Sequence, residues 1–405
     1  MELKSIDSEM LRIRVHHVGG IGGYGPSEAL NALGHIQWVV YDADQDALAG
    51  SDTPGGKNHL MIHRGIGGKD GQAEFHLTAA PSASSLLRPA TGAEDYSLPL
   101  PDGTLRKWGR HTEIRRTVSI AVNTLDTLIS RGEAPQIDFL SIDAQGAELG
   151  ILEGASVELQ NRVVGVLCEV EFTELYEGQA LFGEIQNRLW NDRMRLCDIF
   201  RTQHLNSNDS AAQFLGKGFL TVGEALFLKA VRIDRGSPIN PSPEAVVQRL
   251  KLAAIAVAFD QVDYAVELCR TLIDEGVVDF IDLAERTEVG YVKMLRDLVH
   301  EAEQSAADEP PWELEYLGEN SGSASGGSLH KLARLAGAAG LLVFAVLGKI
   351  GRAVFRIDKS RRYSNVGKIL HRHGLSQVAF DQYMRTPKYR RLVSVTRSVW
   401  RSLLE

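Results

Sequence analysis

Apolar positions between residues 12 and 45 fall into short runs broken by a cluster of glycines. Ile13, Val15 and Val18 lead into GGIGGYGPS, then a helix-like SEALNALG, then IQWVVY ending at Asp42. Strand, loop, helix and strand in that order predict a βαβ unit, the opening of a doubly wound parallel sheet. Two further apolar runs, IDFLSID (137–143) and VVGVLCEVEF (163–172), have the length of buried strands. AELGILEGA, between them, carries apolar residues at helical spacing. Residues 73–122 alternate and are richer in Ser, Thr and Pro, as expected of strands and loops laid over the sheet, and TLDTLIS (124–130) predicts a short helix. The expected fold class is α/β, a doubly wound Rossmann-like sheet followed by a C-terminal α-helical region.

The pattern changes at RGSPINPSPEA (235–245), a proline-rich break. After it, two helices over about 244–258 and 261–275 predict an αα-hairpin, without the second copy that a repeat array needs. ENSGSASGGS (319–328) has the composition of a flexible linker. The expected organisation is therefore a sheet domain over 1–234, a helical hairpin region over 235–318, the linker at 319–328 and a tail over 329–405.

Charge sets the tail apart. Residues 329–405 hold 16 Lys and Arg against 3 Asp and Glu, whereas residues 1–328 hold 28 against 49. A basic tail on an acidic body calls for an anionic partner. LHKLARLAGAAGLLVFAVLGKIGRAVFRI (329–357) is too short in its apolar run to span a bilayer. On a helical wheel, however, Lys331, Arg334, Lys349, Arg352 and Arg356 form one narrow stripe beside a wide apolar face. That pattern suits an anionic membrane surface, the competing reading being a helix packed on another part of the protein. The tail's few aromatics lack the spacing of a base-stacking platform, which argues against nucleic acid.

Cys168, Cys197 and Cys269 are far apart and form neither a disulfide framework nor a zinc signature. The first residues lack the apolar core of a signal peptide, so a cytoplasmic location is expected, peripheral on the inner membrane if the tail binds lipid. His16-His17 would point opposite ways on a strand, and His371 and His373 have no acid or cysteine cluster nearby, so no metal site is predicted.

Gly20, Gly22 and Gly25 satisfy GxGxxG, with Asp42 at the distance of a ribose-binding acid. This fits S-adenosylmethionine or a dinucleotide equally well. The segment IDFLSIDAQGAELGILEGA (137–155) separates them: Asp143 ends a buried strand, Gly146 permits a turn and Glu148 starts the next helix. This segment resembles the hallmark of the FkbM-type methyltransferases. VGGIGGYG with YDAD, KDGQAEFHL followed by Ser84-Ser85-Leu86, VNTLDTLI, and CEVEFTELYEGQALFGEI (168–185) occur in the family's order, over about residues 13–225.

The resemblance implies a class I methyltransferase sheet, S-adenosylmethionine as cofactor and an O-methylated product, often at a sugar hydroxyl of a glycan or glycolipid. It places the loop from Gly19 through Gly20 to Gly23 at the methionine part, Asp42 at the ribose, Ile66 and Gly67 by the adenine, and Asp143 at the transfer site. One departure stands out: His17 occupies a position where the family usually has an acid, so either a neighbour compensates or cofactor affinity is low.

Removing the acceptor's proton calls for a base, with Asp143, Glu169, Glu171 and His76 as candidates and Asp143 first. Strand alternation puts Glu169 and Glu171 on one side, where paired carboxylates could raise one pKa. Two other readings compete: an NAD-dependent oxidoreductase, against which the chain has no Tyr-x-x-x-Lys pair, and a degenerate fold acting as a binding module.

Overall fold

The computed structural model describes residues 5–19, 27–43, 59–93, 96–99, 105–207, 219–231, 242–274 and 276–307. The predicted linker and basic tail (319–405), Gly20 and Gly23 lie outside the described residues.

Strands β1 (Ile13–Val18), β2 (Ile36–Asp42) and β3 (His59–His63) run outward in parallel from the middle of a sheet. The chain then returns to β1's other side with β9 (Phe139–Ile142) and β10 (Gly165–Glu171), also parallel. The antiparallel β12 (Phe219–Lys229) and β11 (Met194–Ser207) follow, and β6 (Tyr96–Pro99) and β7 (Leu105–Lys107) close the edge. The full order is β3-β2-β1-β9-β10-β12-β11-β6-β7. A second, three-stranded sheet holds β4 (Gly65–Ile66), β5 (Gly71–Thr78) and β8 (Ile114–Asn123). Ile66, expected at the end of the third strand of the main sheet, thus belongs to this smaller sheet, where it pairs with Asn123.

The central strands are buried on both faces, which is why they read as continuous apolar runs rather than alternating ones. Val18, Val39, Tyr41, Leu140, Ile142, Val166 and Cys168 face one layer. That layer contains α3 (Leu125–Ser130), α4 (Glu148–Glu153), α5 (Ser156–Asn161) and α6 (Phe182–Asn191). Thr124 caps α3 by accepting the N–H of Thr127, as its position before the apolar run predicts. The intervening residues Ile13, Val15, Trp38, Val40, Phe139 and Leu167 face the opposite layer.

That opposite layer consists of α1 (Ser27–Asn31) and four C-terminal helices: α7 (Pro243–Ala258), α8 (Val262–Asp274), α9 (Phe280–Thr287) and α10 (Gly290–Ala307). The expected pair is therefore four helices, and they share one apolar core with the sheet. Ser242 caps α7 and Pro243 opens it. Helix α7 is apolar nearly all round because it lies between sheet and outer helices; a solvent-facing helix would show a polar stripe. Its one buried cation, Lys251, places Nζ 2.9 Å from both carboxylate oxygens of Asp138, just before β9. Tyr291 of α10 donates its hydroxyl to the carbonyl of Leu11 before β1, a second bond between helices and sheet. The remaining helix, α2 (Trp108–His111), follows β7. Among the described residues no helix is long and apolar enough to cross a membrane.

Candidate active site

The strand order switches direction between β1 and β9. Such a switch point leaves a crevice at the carboxyl ends of the strands. A cleft occupies it, lined among others by Gly19 after β1, Asp42 at the end of β2, Ile66 of β4, and Asp143 and Gln145 after β9. Four of the expected site residues, far apart in sequence, therefore meet. Gly67 does not line this cleft; its N–H bonds the carbonyl of Asn123 and it packs against Val122.

Gly19 is where the chain has to be glycine. Its φ is +107°, and a Cβ there would meet the carbonyl oxygen of Asp143 at 1.7 Å. This close approach continues the β1–β9 ladder by one bond, from the N–H of Asp143 to Val18 at 2.9 Å.

His17 is buried, with Nδ1 2.9 Å from Ser141 Oγ and Nε2 3.1 Å from the Gly19 carbonyl. Burial holds its pKa below the usual histidine range, against the opposing pull of Asp143 and the Gly19 carbonyl. His16 points to the other face, its Nδ1 2.8 Å from the Tyr41 hydroxyl, and burial lowers its pKa to about 3. The two histidines diverge as strand alternation requires.

Asp42 is buried at the mouth of the cleft. Asp143, on the same cleft and partly exposed, sits beside a group of acids. Glu169 and Glu171 project from one side of β10, and their carboxylate oxygens and that of Glu148 lie within 4.8 Å of one another. This spacing could also hold a cation, but N–H donors already face two of them: Ala144 donates to Glu148 at 2.8 Å, and the Gln145 amide donates to Glu169 at 2.9 Å. Burial pushes Glu169 and Glu171 well above the usual carboxyl range, helped next by Asp143 at Glu169 and by Glu148 at Glu171. Burial pushes Glu148 up to about 7. His76 lies in the smaller sheet, buried, with Nδ1 on the Thr117 hydroxyl, and does not line the cleft.

The hub of the site is a residue that no pattern singled out. Gln145 has φ +55°, a left-handed conformation uncommon for a side-chain-bearing residue. Its Nε2 donates to Asp143 Oδ1 at 2.7 Å and to Glu169 Oε2 at 2.9 Å. Its Oε1 lies 3.0 Å from the Tyr176 hydroxyl, whose one hydrogen it shares with the Ala83 carbonyl, also at 3.0 Å, and its carbonyl accepts from Ser85 Oγ at 2.7 Å. The sequence signal was faint: a polar residue between the strand-ending acid and a turn glycine, in DAQG.

Residues 48–196 match the family described as the methyltransferase FkbM domain. The match includes Asp143, Gln145 and the acids of β10 and begins after Asp42. No curated protein matches the chain. The methyltransferase FkbM from Methylobacillus flagellatus KT is similar in structure, with a TM-score of 0.30 and 14% identity, over 54% of this chain and 44% of that one. The chain thus spans less than half the length of that relative. A TehB-like SAM-dependent methyltransferase from Corynebacterium glutamicum gives a TM-score of 0.25 and 8% identity, over 56% of this chain and 89% of that one. A 16S rRNA (adenine(1408)-N(1))-methyltransferase from Catenulisporales acidiphilia gives 0.24 and 10%, over 56% and 96%. The segment DAQGAELGILEGA, which carries the resemblance read from the sequence, lies inside the residues that match the methyltransferase FkbM domain.

Proposed function

We propose that the protein is an S-adenosylmethionine-dependent O-methyltransferase whose acceptor is a sugar hydroxyl of a glycan or glycolipid. The observation that carries the cofactor reading is the meeting of Asp42, Ile66 and Asp143 on one cleft at the switch point of the sheet. The donor set suits the group. A carboxylate at the end of β2 accepts from both hydroxyls of a ribose, an isoleucine offers an apolar wall to a purine, and the carboxylate of Asp143 complements a cation. Asp42 would hold the ribose, Ile66 would lie by the adenine, and the loop from Gly19 through Gly20 to Gly23 would hold the methionine part.

S-adenosylmethionine, when bound, supplies an electrophilic methyl group. The protein's own part is to align an acceptor hydroxyl at roughly 3 Å and to take its proton. Asp143 is the first choice for that base, because it lines the cleft, with Glu169 and Glu171 behind it. The sugar acceptor and a cytoplasmic location, peripheral on an anionic membrane through residues 329–405, rest on the family resemblance and on charge alone.

Calorimetry with S-adenosylmethionine and with NAD on the full chain tests the cofactor reading. Saturable binding of the first without the second is expected. Preference for NAD would make the protein an oxidoreductase on the same kind of sheet, and binding of neither would leave a binding module.

A further inference from the structure

We propose that Gln145 is the positioning residue of this site: its amide clasps the carboxylates of Asp143 and Glu169 into one unit and settles which oxygen of Asp143 is left for the acceptor. The inference rests on the methyl-transfer reading of the cleft. It is argued from three bonds that converge on one side chain and a fourth at its backbone carbonyl, in a residue held in a left-handed conformation.

Asp143 and Glu169 end neighbouring strands. Cys168 pairs with Ile142, so the residues that follow them lie side by side. Burial and the facing charge of Asp143 raise the proton affinity of Glu169 there, and a side-chain hydrogen bond links the two groups. The Nε2 of Gln145 bridges them, at 2.7 Å from Asp143 Oδ1 and 2.9 Å from Glu169 Oε2. An amide nitrogen has two hydrogens, one for each. The amide is oriented in turn by the Tyr176 hydroxyl at its oxygen, and the backbone by Ser85 at its carbonyl. A left-handed residue that is not glycine persists where its surroundings over-determine it, often at a functional site.

With Oδ1 held by the amide, Oδ2 is the oxygen of Asp143 that the clasp leaves for an acceptor. In methyl transfer to a hydroxyl, the acceptor's O–H bond breaks toward that oxygen and its electron pair forms the new C–O bond. The C–S pair stays on the departing sulfur. A base held in one rotamer meets the hydroxyl without first reorganising, which is how a side chain that touches no reactant contributes to rate.

The test uses carbon NMR of carboxyl-labelled Asp and Glu in the free, full-length protein, titrated with base. Glu169 is faced by Asp143 on β9's end, Glu171 on its own strand, Glu148 on α4, Tyr176, and Glu224 on β12, itself paired with Arg201. Gln145→Gly removes the amide and keeps the left-handed backbone without strain, so the fold is retained. Loss of an N–H donor to the charged form should move the Glu169 titration upward by about one unit, a tenfold change in proton affinity. Asp143→Asn should move it down, because the facing charge is gone.

An unmoved Glu169 titration in a folded Gln145→Gly protein would overturn the clasp. Failure of the unaltered protein to bind S-adenosylmethionine would sink the methyl-transfer reading, while the titration would still decide whether the clasp exists.

Discussion

The Nε2 atom of His17 lies 3.1 Å from the carbonyl oxygen of Gly19, two residues further along the chain. A carbonyl can only accept, so this nitrogen carries the hydrogen. Nδ1 of the neutral ring is then left to accept from Ser141, 2.9 Å away. The imidazole thus ties the end of β1 to β9 at the point where the glycine loop begins.

An acid at position 17 would therefore not restore a lost function. His17→Asp would set a carboxylate against the Gly19 carbonyl, with Asp143 close by, and leave the Ser141 hydroxyl as its only donor. We expect S-adenosylmethionine affinity to fall on the order of tenfold, about 1.4 kcal/mol, together with the melting temperature. Calorimetry and thermal unfolding of the variant measure both. A tighter complex would mean that cofactor charge is under-compensated and that the histidine bond matters little.

Asp42 offers a second test of the cofactor cleft. A hydrogen bond to a charged group contributes about 1.5–3 kcal/mol. Asp42→Ala should weaken S-adenosylmethionine roughly ten- to a hundredfold. Unchanged affinity in calorimetry would remove Asp42 from the ribose role.

Stability should depend on pH with opposite signs at its two ends. Glu148 is pushed up to about 7 by burial, above its model-peptide range near 4.5, so the folded state holds a proton that the unfolded chain has released. Its contribution is complete below about pH 4.5 and is lost as pH rises through 7, up to roughly 3 kcal/mol. Glu169 and Glu171 act in the same direction. His16, lowered from 6.5 to about 3, works the other way: its neutral ring favours folding above 6.5, and stability is lost as pH falls toward 3. Denaturant unfolding of the free protein should be most cooperative and most stable between these limits. Glu148→Gln should raise stability at pH 8 and change it little at pH 5. An equal effect at both values would mean that the carboxyl is ionised throughout.

Lys251 and Asp138 test whether the C-terminal helices belong to the sheet's core. The pair is buried, and Asp138 also accepts the N–H of Arg14 at 2.8 Å. Lys251→Met leaves a buried carboxylate without its cation, which typically costs about 3–5 kcal/mol. Adding Asp138→Asn should recover part of the loss. Truncation after residue 231 should expose the apolar face of the sheet and give aggregated protein. A soluble, cofactor-binding fragment would show that the sheet stands alone.

The basic tail predicts binding to anionic lipid, at about 1 kcal/mol for each cation near the surface. Truncation after Ser328 should leave S-adenosylmethionine binding intact and abolish pelleting with anionic liposomes, and high salt should have the same effect. Full-length protein that ignores such liposomes would assign the tail's apolar face to a protein contact.

The sequence by itself determined the strands, their alternation with helices, and the acids that end β2 and β9. These are local properties: an apolar run has the length of a buried strand, and a Gly-Ala-Glu after it turns the chain into a helix. It also separated Glu169 and Glu171 from Cys168, because side-chain alternation is set by the strand's period of two. Only the tertiary structure decided what covers the sheet's second face. The four C-terminal helices join it through Lys251 and Tyr291, across 113 and 280 residues of sequence, and no local pattern encodes such a pairing. The same holds at the site. Gln145 read as one polar residue in a turn until the register of β9 against β10 brought Asp143 and Glu169 to either side of its amide. His17, at a position where an acid was expected, has its two partners on different strands' ends. Period and propensity act over a few neighbouring residues, whereas the bonds that orient a buried amide or imidazole are fixed by strand order and register.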